Sequence, residues 1–382
     1  MFTLKYLIIA ALLGFSIPIV FGQTDDIKQF LDNAMTLFNE KKYEDAISEL
    51  NKVLDADPNN IDALNNKGII RLAEGKYVKA QQNFEKANNI DPDNIIALNG
   101  LGTTYYNLDR YDDAIDIFDH VLEIDKTNVD ALIGNGNVLL KLEQYEGAML
   151  FFNIVLEQDS NNISALIGKA DALTKINQYN SGLTIFDEVL NIDLDNLDAL
   201  NGKGSIFLEL EDLTNARISF EEALETNPES IDGLLGIAEV NYQEGKYIKS
   251  QQFYDKILSI DPDNVKGLIG KASVLLEIGK PEDALDYYDE ALEVDPNNPD
   301  AANGRDLILQ DKVSTSLDLI LIITIIGSVT SVISFIIVII KIKENAELKS
   351  KLLISEEQIE DLVDKMMKNV GKIKKGTAQD PS

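Results

Sequence analysis

Small and large apolar residues return along residues 27–298 with a fixed period of 34, without insertion or deletion. The eighth place of each unit is small: Ala34, Gly68, Gly102, Gly136, Ala170, Gly204, Ala238 and Ala272. The twentieth is small as well, running Ala46, Ala80, Ala114, Ala148, Gly182, Ala216, Ser250 and Ala284. Four places later stands a large side chain: Leu50, Phe84, Phe118, Phe152, Phe186, Phe220, Tyr254 or Tyr288. Tyrosine opens the second half of six units (Tyr43, Tyr77, Tyr111, Tyr145, Tyr179, Tyr247), and Leu213 and Pro281 replace it in the other two. Polar punctuation keeps the same beat, at Asp57-Pro58, Asp91-Pro92, Asp125-Lys126, Asp159-Ser160, Asp193-Leu194, Asn227-Pro228, Asp261-Pro262 and Asp295-Pro296. Eight turns in register mark a repeat architecture.

Each unit reads as two helices. Small residues let two antiparallel helices approach closely, and the aromatic fills the space beside them. Asp at the turn is expected to cap the next helix, and Pro suits a turn or a first helical position. No unit buries its apolar face alone, so neighbours must stack. The expected fold is all-α: an α-solenoid of eight 34-residue helix-turn-helix repeats at 27–60, 61–94, 95–128, 129–162, 163–196, 197–230, 231–264 and 265–298. Residues 299–312 read as one further first helix that caps the array.

The sixth place reads Asp32, Asn66, Gly100, Gly134, Gly168, Gly202, Gly236 and Gly270, with Gly304 in the cap. Glycine inside a helix costs ~1 kcal/mol relative to alanine. Two reasons for the series stand open: close packing between neighbouring first helices, or room for a ligand backbone in a concave groove.

The two ends differ from the middle. In residues 1–22, Lys5 supplies a positive start, Leu7 to Phe15 is apolar and uncharged, and Pro18 breaks the run. Val20-Phe21-Gly22 then permits cleavage before Gln23, the pattern of a secretory signal peptide. An uncleaved anchor is the alternative, with the same orientation. Leu319 to Ile340 holds 22 residues without a charge, long enough at ~1.5 Å per residue to span a bilayer. A transmembrane helix is therefore expected over 317–340. Lys341, Lys343, Lys349 and Lys351 follow it, which places the C-terminus in the cytoplasm and the ectodomain 23–312 outside. Over 341–375, Leu348, Leu352, Ile359, Leu362, Met366 and Ile373 form a helical apolar stripe. It suits either a coiled coil that makes a homodimer or, with Lys368, Lys372, Lys374 and Lys375, a helix on the membrane. Residues 376–382 read as a disordered tail.

Charge sharpens this division. The chain carries 65 acids and 34 bases. Residues 24–315 hold 56 acids and 24 bases, while 316–382 hold nine of each. Such a surface repels nucleic acid. With no cysteine and a single histidine, His120, thiolate and histidine-rich metal sites and cysteine nucleophiles are excluded. No catalytic constellation is visible, so no catalytic, cofactor or metal residue is assigned, and no enzyme is expected. Gly134-Asn-Gly136 and Gly202-Lys-Gly204 follow no strand and fit no phosphate loop. Asp261-Pro-Asp263-Asn264 lacks the Gly and closing Glu of a calcium loop. Asn162-Ile-Ser164 is a glycosylation sequon on the external side.

The small residues, the aromatic and the turn prolines sit at the offsets of the tetratricopeptide repeat family, which residues 27–298 resemble. Departures occur at the seventh place, where the family's leucine is Lys67, Asn135, Lys169 or Lys203 here. The resemblance implies a groove lined by first-helix residues. Carried over by register, these are Asn65, Asn66, Asn99, Thr103, Asn137, Asp171, Asn201, Ser205, Glu239 and Tyr242. The family's clamp for C-terminal carboxylates needs Lys, Arg and Asn, and cations are nearly absent from this set. The implied partner is another protein or an extended peptide, basic if the acidity steers it; solubility is the other explanation of the acidity. The implied role is a protein–protein interaction scaffold or assembly factor at a prokaryotic cell surface. The alternative is a ligand-capturing surface sensor that signals through its cytoplasmic tail.

Overall fold

The computed structural model describes residues 23–310 and, beyond them, the isolated helical positions 361, 364, 365 and 368. The expected signal segment, the span at 317–340 and nearly all of the tail lie outside the described residues. Among the described residues no helix is long and apolar enough to cross a membrane. In the tail, Asp361, Asp364, Lys365 and Lys368 are helical, and Lys365 Nζ meets Asp361 at 2.6 Å.

The chain forms two compact units that meet between Ile206 and Phe207. The first unit contains α1 (Gln23–Asn39), α2 (Tyr43–Ala56), α3 (Ile61–Ala73), α4 (Tyr77–Ile90), α5 (Ile95–Asn107), α6 (Tyr111–Ile124), α7 (Val129–Lys141), α8 (Tyr145–Gln158), α9 (Ile163–Lys175) and α10 (Tyr179–Ile192). Helix α11 (Leu197–Glu209) runs across the boundary. The second unit continues with α12 (Leu213–Thr226), α13 (Ile231–Gln243), α14 (Tyr247–Ile260), α15 (Val265–Glu277) and α16 (Pro281–Val294). Residues 299–310 form α17. Among the described residues all regular structure is helical, and each expected repeat is a helix pair.

Helix starts are set by an asparagine, not by the turn aspartate. Asn60 Oδ1 accepts from Ala63 N at 2.9 Å, and Asn94, Asn128, Asn162 and Asn264 repeat the bond. The expectation that Asp caps the next helix is thereby corrected. Asp57 ends α2, its own N–H bonding Val53 O, and its carboxylate accepts from Asn59 N within the turn. An N-cap side chain must reach the amide three residues on, and only the last residue of each unit stands there.

First helices end on a residue in the left-handed region. Gly75, Gly245 and Gly279 take φ of 71°, 71° and 76°. At the same place in the other units, Lys41, Asp109, Glu143, Asn177 and Glu211 take φ of 56° to 60°. The following amide then bonds back into the helix, as Gln144 N does to Leu139 O at 2.8 Å. This closes the helix end without a second capping side chain.

The core is a ring held between two first helices. A Cβ added at Gly68 would stand 2.6 Å from Phe84 Cε1, and one at Gly100, in the next unit, would overlap the same ring. Gly102 and Gly134 enclose Phe118, and Gly136 and Gly168 enclose Phe152. Phe186 lies in one cluster with Ala170 and is closed by Gly202. In the second unit Tyr254 lies with Ala238 under Gly270, and Tyr288 with Ala272 under Gly304. The sixth-place glycines are therefore packing residues. Their neighbour is the aromatic of the preceding second helix rather than the preceding first helix. Where the large residue is Leu50, the sixth place of the next unit is Asn66 and not glycine.

The polar seventh place makes its own bonds between units. Lys67 Nζ donates to Asn51 Oδ1 at 2.7 Å, Asn135 Nδ2 to Asp119 at 2.8 Å and Lys203 Nζ to Asp187 at 2.6 Å. In the second unit Lys271 pairs with Asp255 at 2.7 Å and Arg305 with Asp289 at 2.6 Å. Each rung joins a first helix to the preceding second helix, beside the ring. In the second unit, α17 buries Ala301, Ile308 and Leu309 and leaves Leu307 exposed among the described residues.

Two stability outcomes follow from these contacts. Phe152→Ala should cost ~3–5 kcal/mol, and in a near-neighbour array the loss should be local, splitting the unfolding transition. Gly168→Ala should also destabilise, because an overpacking cost of ~1–3 kcal/mol exceeds the ~1 kcal/mol helix-propensity gain. Part of that loss should return in the double variant with Phe152→Leu, measured by denaturant unfolding. Glu143→Gly should leave the helix end intact and stabilise by up to about 1 kcal/mol, since glycine enters the left-handed region without a Cβ penalty. A lowered midpoint for Glu143→Gly would contradict this account of the turn.

Candidate functional site

In the first unit, first helices touch one another along the array: α1 with α3, α3 with α5, α5 with α7 and α7 with α9. In the second, α13 touches α15 in the same way. Second helices do not approach each other so closely, so the first helices form the inner layer of each unit. The residues expected to line a groove divide between the two units and are met in three different states.

Asn65 is buried, and its Nδ2 donates to Asn94 Oδ1 at 3.0 Å. Asn99 Nδ2 donates to Asn128 Oδ1 at 3.1 Å. Both donate to the cap of the next first helix, so their amides serve the junction between units. The Oδ1 atoms of Asn65, Asn99 and Asn201 are buried without a hydrogen-bond partner. Asn66, at the glycine place, is half-buried. Asn65 and Asn99 thus commit their amide donors to the next cap rather than leaving them free for a ligand.

Thr103 and Asn137 are half-buried, while Asp171 and Ser205 are exposed. All four occupy the ninth place of a first helix. Asp171 is open to water, yet desolvation is the main cause that pushes its carboxyl up to about 6. Protein atoms crowding a carboxyl disfavour its charged form even where water reaches part of the side chain. Asp198, at the start of α11, adds like-charge repulsion, and Lys175 opposes it.

In the second unit Glu239 accepts from Gln243 Nε2 at 2.9 Å. Tyr242 donates to Glu277 Oε1 at 3.3 Å and meets the Tyr247 ring edge-on at 5.5 Å. Burial, with Glu277 beside it, pushes the Tyr242 phenol up to about 12. Next to them lies an open concavity of about 690 Å3 lined by Leu208, Glu209, Glu211, Leu213, Glu239 and Gln243. Of these the groove reading named Glu239 alone. Leu208, Glu209, Glu211 and Leu213 stand on the last turn of α11 and the residues just after it, and Gln243 ends α13, beyond the helix face that register arguments cover. The one available signal was the replacement of tyrosine by Leu213.

The remaining sequence-selected residues are explained locally. Asn162, the sequon residue, caps α9 through its Oδ1. His120 Nε2 lies 3.4 Å from Asp93 on the surface. Among the described residues no group of three or more His, Asp or Glu is placed to hold a metal ion.

The Asp171 geometry gives a pH dependence. Its folded carboxyl titrates above an ordinary aspartate, so the folded chain binds the proton more tightly. That contribution to stability is full below about pH 4 and is lost as pH rises through about 6. Carboxyl NMR of the full chain should place the Asp171 midpoint near 6. Asp198→Asn should lower it, and Asp171→Asn should flatten the stability profile across that window. An Asp171 midpoint at the ordinary aspartate value would show that its surroundings do not desolvate it.

Three models of one family, the tetratricopeptide repeat, match the sequence. One covers residues 71–134, 108–161 and 241–306, a second 49–82, and a third 34–60 and 197–230. Together they reach more than half of the chain. No curated protein matches it. Among solved structures it is similar to the APC/C hetero-tetramer Cut9-Hcn1, at 16% identity and a TM-score of 0.56 over 73% of this chain and 55% of that one. It is similar to a tetratricopeptide repeat protein from Parabacteroides merdae, at 15% identity and a TM-score of 0.57 over 66% of this chain and 99% of that one. It is also similar to yeast Tom70, at 17% identity and a TM-score of 0.56 over 72% and 60%. The chain thus spans little more than half the length of the Cut9-Hcn1 chain it matches, and these identities speak to fold alone. Helix pairs of fixed length, small residues enclosing an aromatic, and family matches from residue 34 to 306 agree: the chain belongs to the tetratricopeptide repeat family.

Proposed function

We propose that this chain is a non-enzymatic scaffold or assembly factor, which binds another protein along the inner faces of its helical arrays. The observation that carries the reading is the state of the inner ninth place. Thr103, Asn137, Asp171 and Ser205 are polar and differ from unit to unit, while the ring and its glycines beneath them stay the same. A constant core with a varied polar face is suited to recognition of one extended partner. The net charge of -31 favours a basic partner, chiefly by raising association rates.

The reading includes display outside a cell membrane, carried by Lys5, the uncharged run Leu319 to Ile340 and the lysines that follow it. Protease added to intact cells should then degrade residues 23–312 and spare the tail.

Binding is tested by photo-crosslinking from single positions in the full chain in its native membrane. Probes at Asn137 and Ser205 should give an adduct with one defined protein, and a probe at Leu150, exposed on α8, should not. Adducts from Leu150 with none from the inner positions would move the binding surface to the second helices. Adducts with soluble small molecules alone would favour the sensor. Leucine at Gly168 or Gly202 is no test of binding, because either side chain would overlap the ring of Phe152 or Phe186 and break the packing.

A further inference from the structure

The concavity at the end of α11 arises from a departure in the repeat. Six units place tyrosine at the seventeenth position; the unit that opens the second half at Leu213 does not. The shorter side chain leaves an open space of about 690 Å3, with Leu208 and Leu213 as its apolar residues. Both pack on the buried cluster of Ala216, Phe220, Ile237 and Val240, so the floor is fixed before any ligand arrives. The rest of the lining is Glu209, Glu211, Glu239 and Gln243: three carboxylates and no base. Gln243 Nε2 holds the Glu239 carboxylate in place at 2.9 Å.

We infer that this concavity receives an arginine side chain carried on an extended segment of the partner protein. An aliphatic stem would cover Leu208 and Leu213 while the guanidinium meets the carboxylates. A long charged side chain has this division along its length, apolar stem and polar head. Arginine fits better than lysine because its planar fork of five donors can serve more than one carboxylate at once. The volume exceeds one side chain, which leaves room for the adjoining backbone. An acidic or purely apolar segment does not fit: the first meets like charge, the second strands three carboxylates from water. The inference rests on the reading of the second unit's inner face as a binding surface, and it identifies the chemistry of the partner there.

The experiment uses the full chain and a dye-labelled Gly/Ser peptide with three spaced arginines, read by fluorescence anisotropy at about 0.15 M salt. The same peptide with citrulline, which keeps the shape and loses the charge, should bind at least tenfold more weakly, and the lysine form several-fold more weakly. Leu213→Tyr installs the residue that six other units carry and should weaken arginine-peptide binding about tenfold without lowering the thermal midpoint. Glu209→Gln with Glu239→Gln should do the same without altering the apolar packing. Glu225→Gln with Glu229→Gln removes two charges from exposed positions outside the concavity and should change affinity less than twofold. Parent-like binding by Leu213→Tyr, equal binding of the citrulline peptide, or an equal loss from the two glutamate pairs would each overturn the inference. These outcomes leave the crosslinking at Asn137 and Ser205 untouched. If those adducts persist, the scaffold reading stands while the arginine site falls; if they are absent too, both fall.

Discussion

Everything in the described arrays depends on one contact: an aromatic ring on a second helix, enclosed by small residues from two successive first helices. Phe152 is fully buried, with Gly136 of its own unit on one side and Gly168 of the next on the other. The ring therefore does two jobs. It fixes the angle within a helix pair and joins that pair to its neighbour. Where the sixth place faces an aromatic ring it is glycine, because a Cβ there would overlap the ring. The ~1 kcal/mol helix penalty of each glycine is offset by burial of the ring, at ~3–5 kcal/mol for a deleted phenylalanine. The covariation is visible inside this one chain: Leu50, smaller than phenylalanine, is followed by Asn66.

The polar rungs at the seventh place belong to the same junction. Lysine at Lys67 and Lys203 departs from the leucine of the family pattern, yet each reaches a polar residue sixteen positions back on the preceding second helix. Such pairs are part-exposed and add little stability singly. Their value lies in register: a helix slipped by one turn would lose every rung and every ring contact together. The buried amides of Asn65 and Asn99 act likewise, donating to the cap of the next first helix. A residue type suited to peptide binding is used here to align repeats.

The period of 34, the helix pairs and the small–aromatic packing were all legible from residue spacing, because steric size repeats in sequence as it does in space. Three features were not. The cap fell to the residue closing each unit, an asparagine or, in one unit, Ser230, rather than the turn aspartate, since helix onset was displaced three residues from the visible marker. The left-handed helix ends were hidden because Lys41, Asp109, Glu143, Asn177 and Glu211 carry no glycine to announce them. The sixth-place glycines left two explanations open, because a sequence shows that room is needed and not what occupies it. The groove was read least well. Register placed Asp171 and Ser205 on an accessible face, as they are, but counted Asn65 and Asn99 as free when their amides face the neighbouring cap.

Repetition itself separates structure from recognition in such a chain. Places that hold the ring must keep one chemistry, and they do from Phe84 to Phe220. The ninth place of the first helix is not held to one chemistry and runs Met35, Ile69, Thr103, Asn137, Asp171, Ser205, Glu239, Ser273. It is apolar in the first two units and varies between neutral polar and acidic in the rest. A surface meant only to keep the protein soluble would need no such variation, since any charged residue serves solubility at any place. Acidic residues reach this inner place only at Asp171 and Glu239, and each stands beside a second departure from the neutral pattern. Asp171 has Asp198 near it and a carboxyl pushed up to about 6; Glu239 borders the space opened by Leu213. At Asp171, desolvation and the nearby Asp198 disfavour the charged form. The constant places thus hold the array together, while the ninth place changes chemistry from unit to unit.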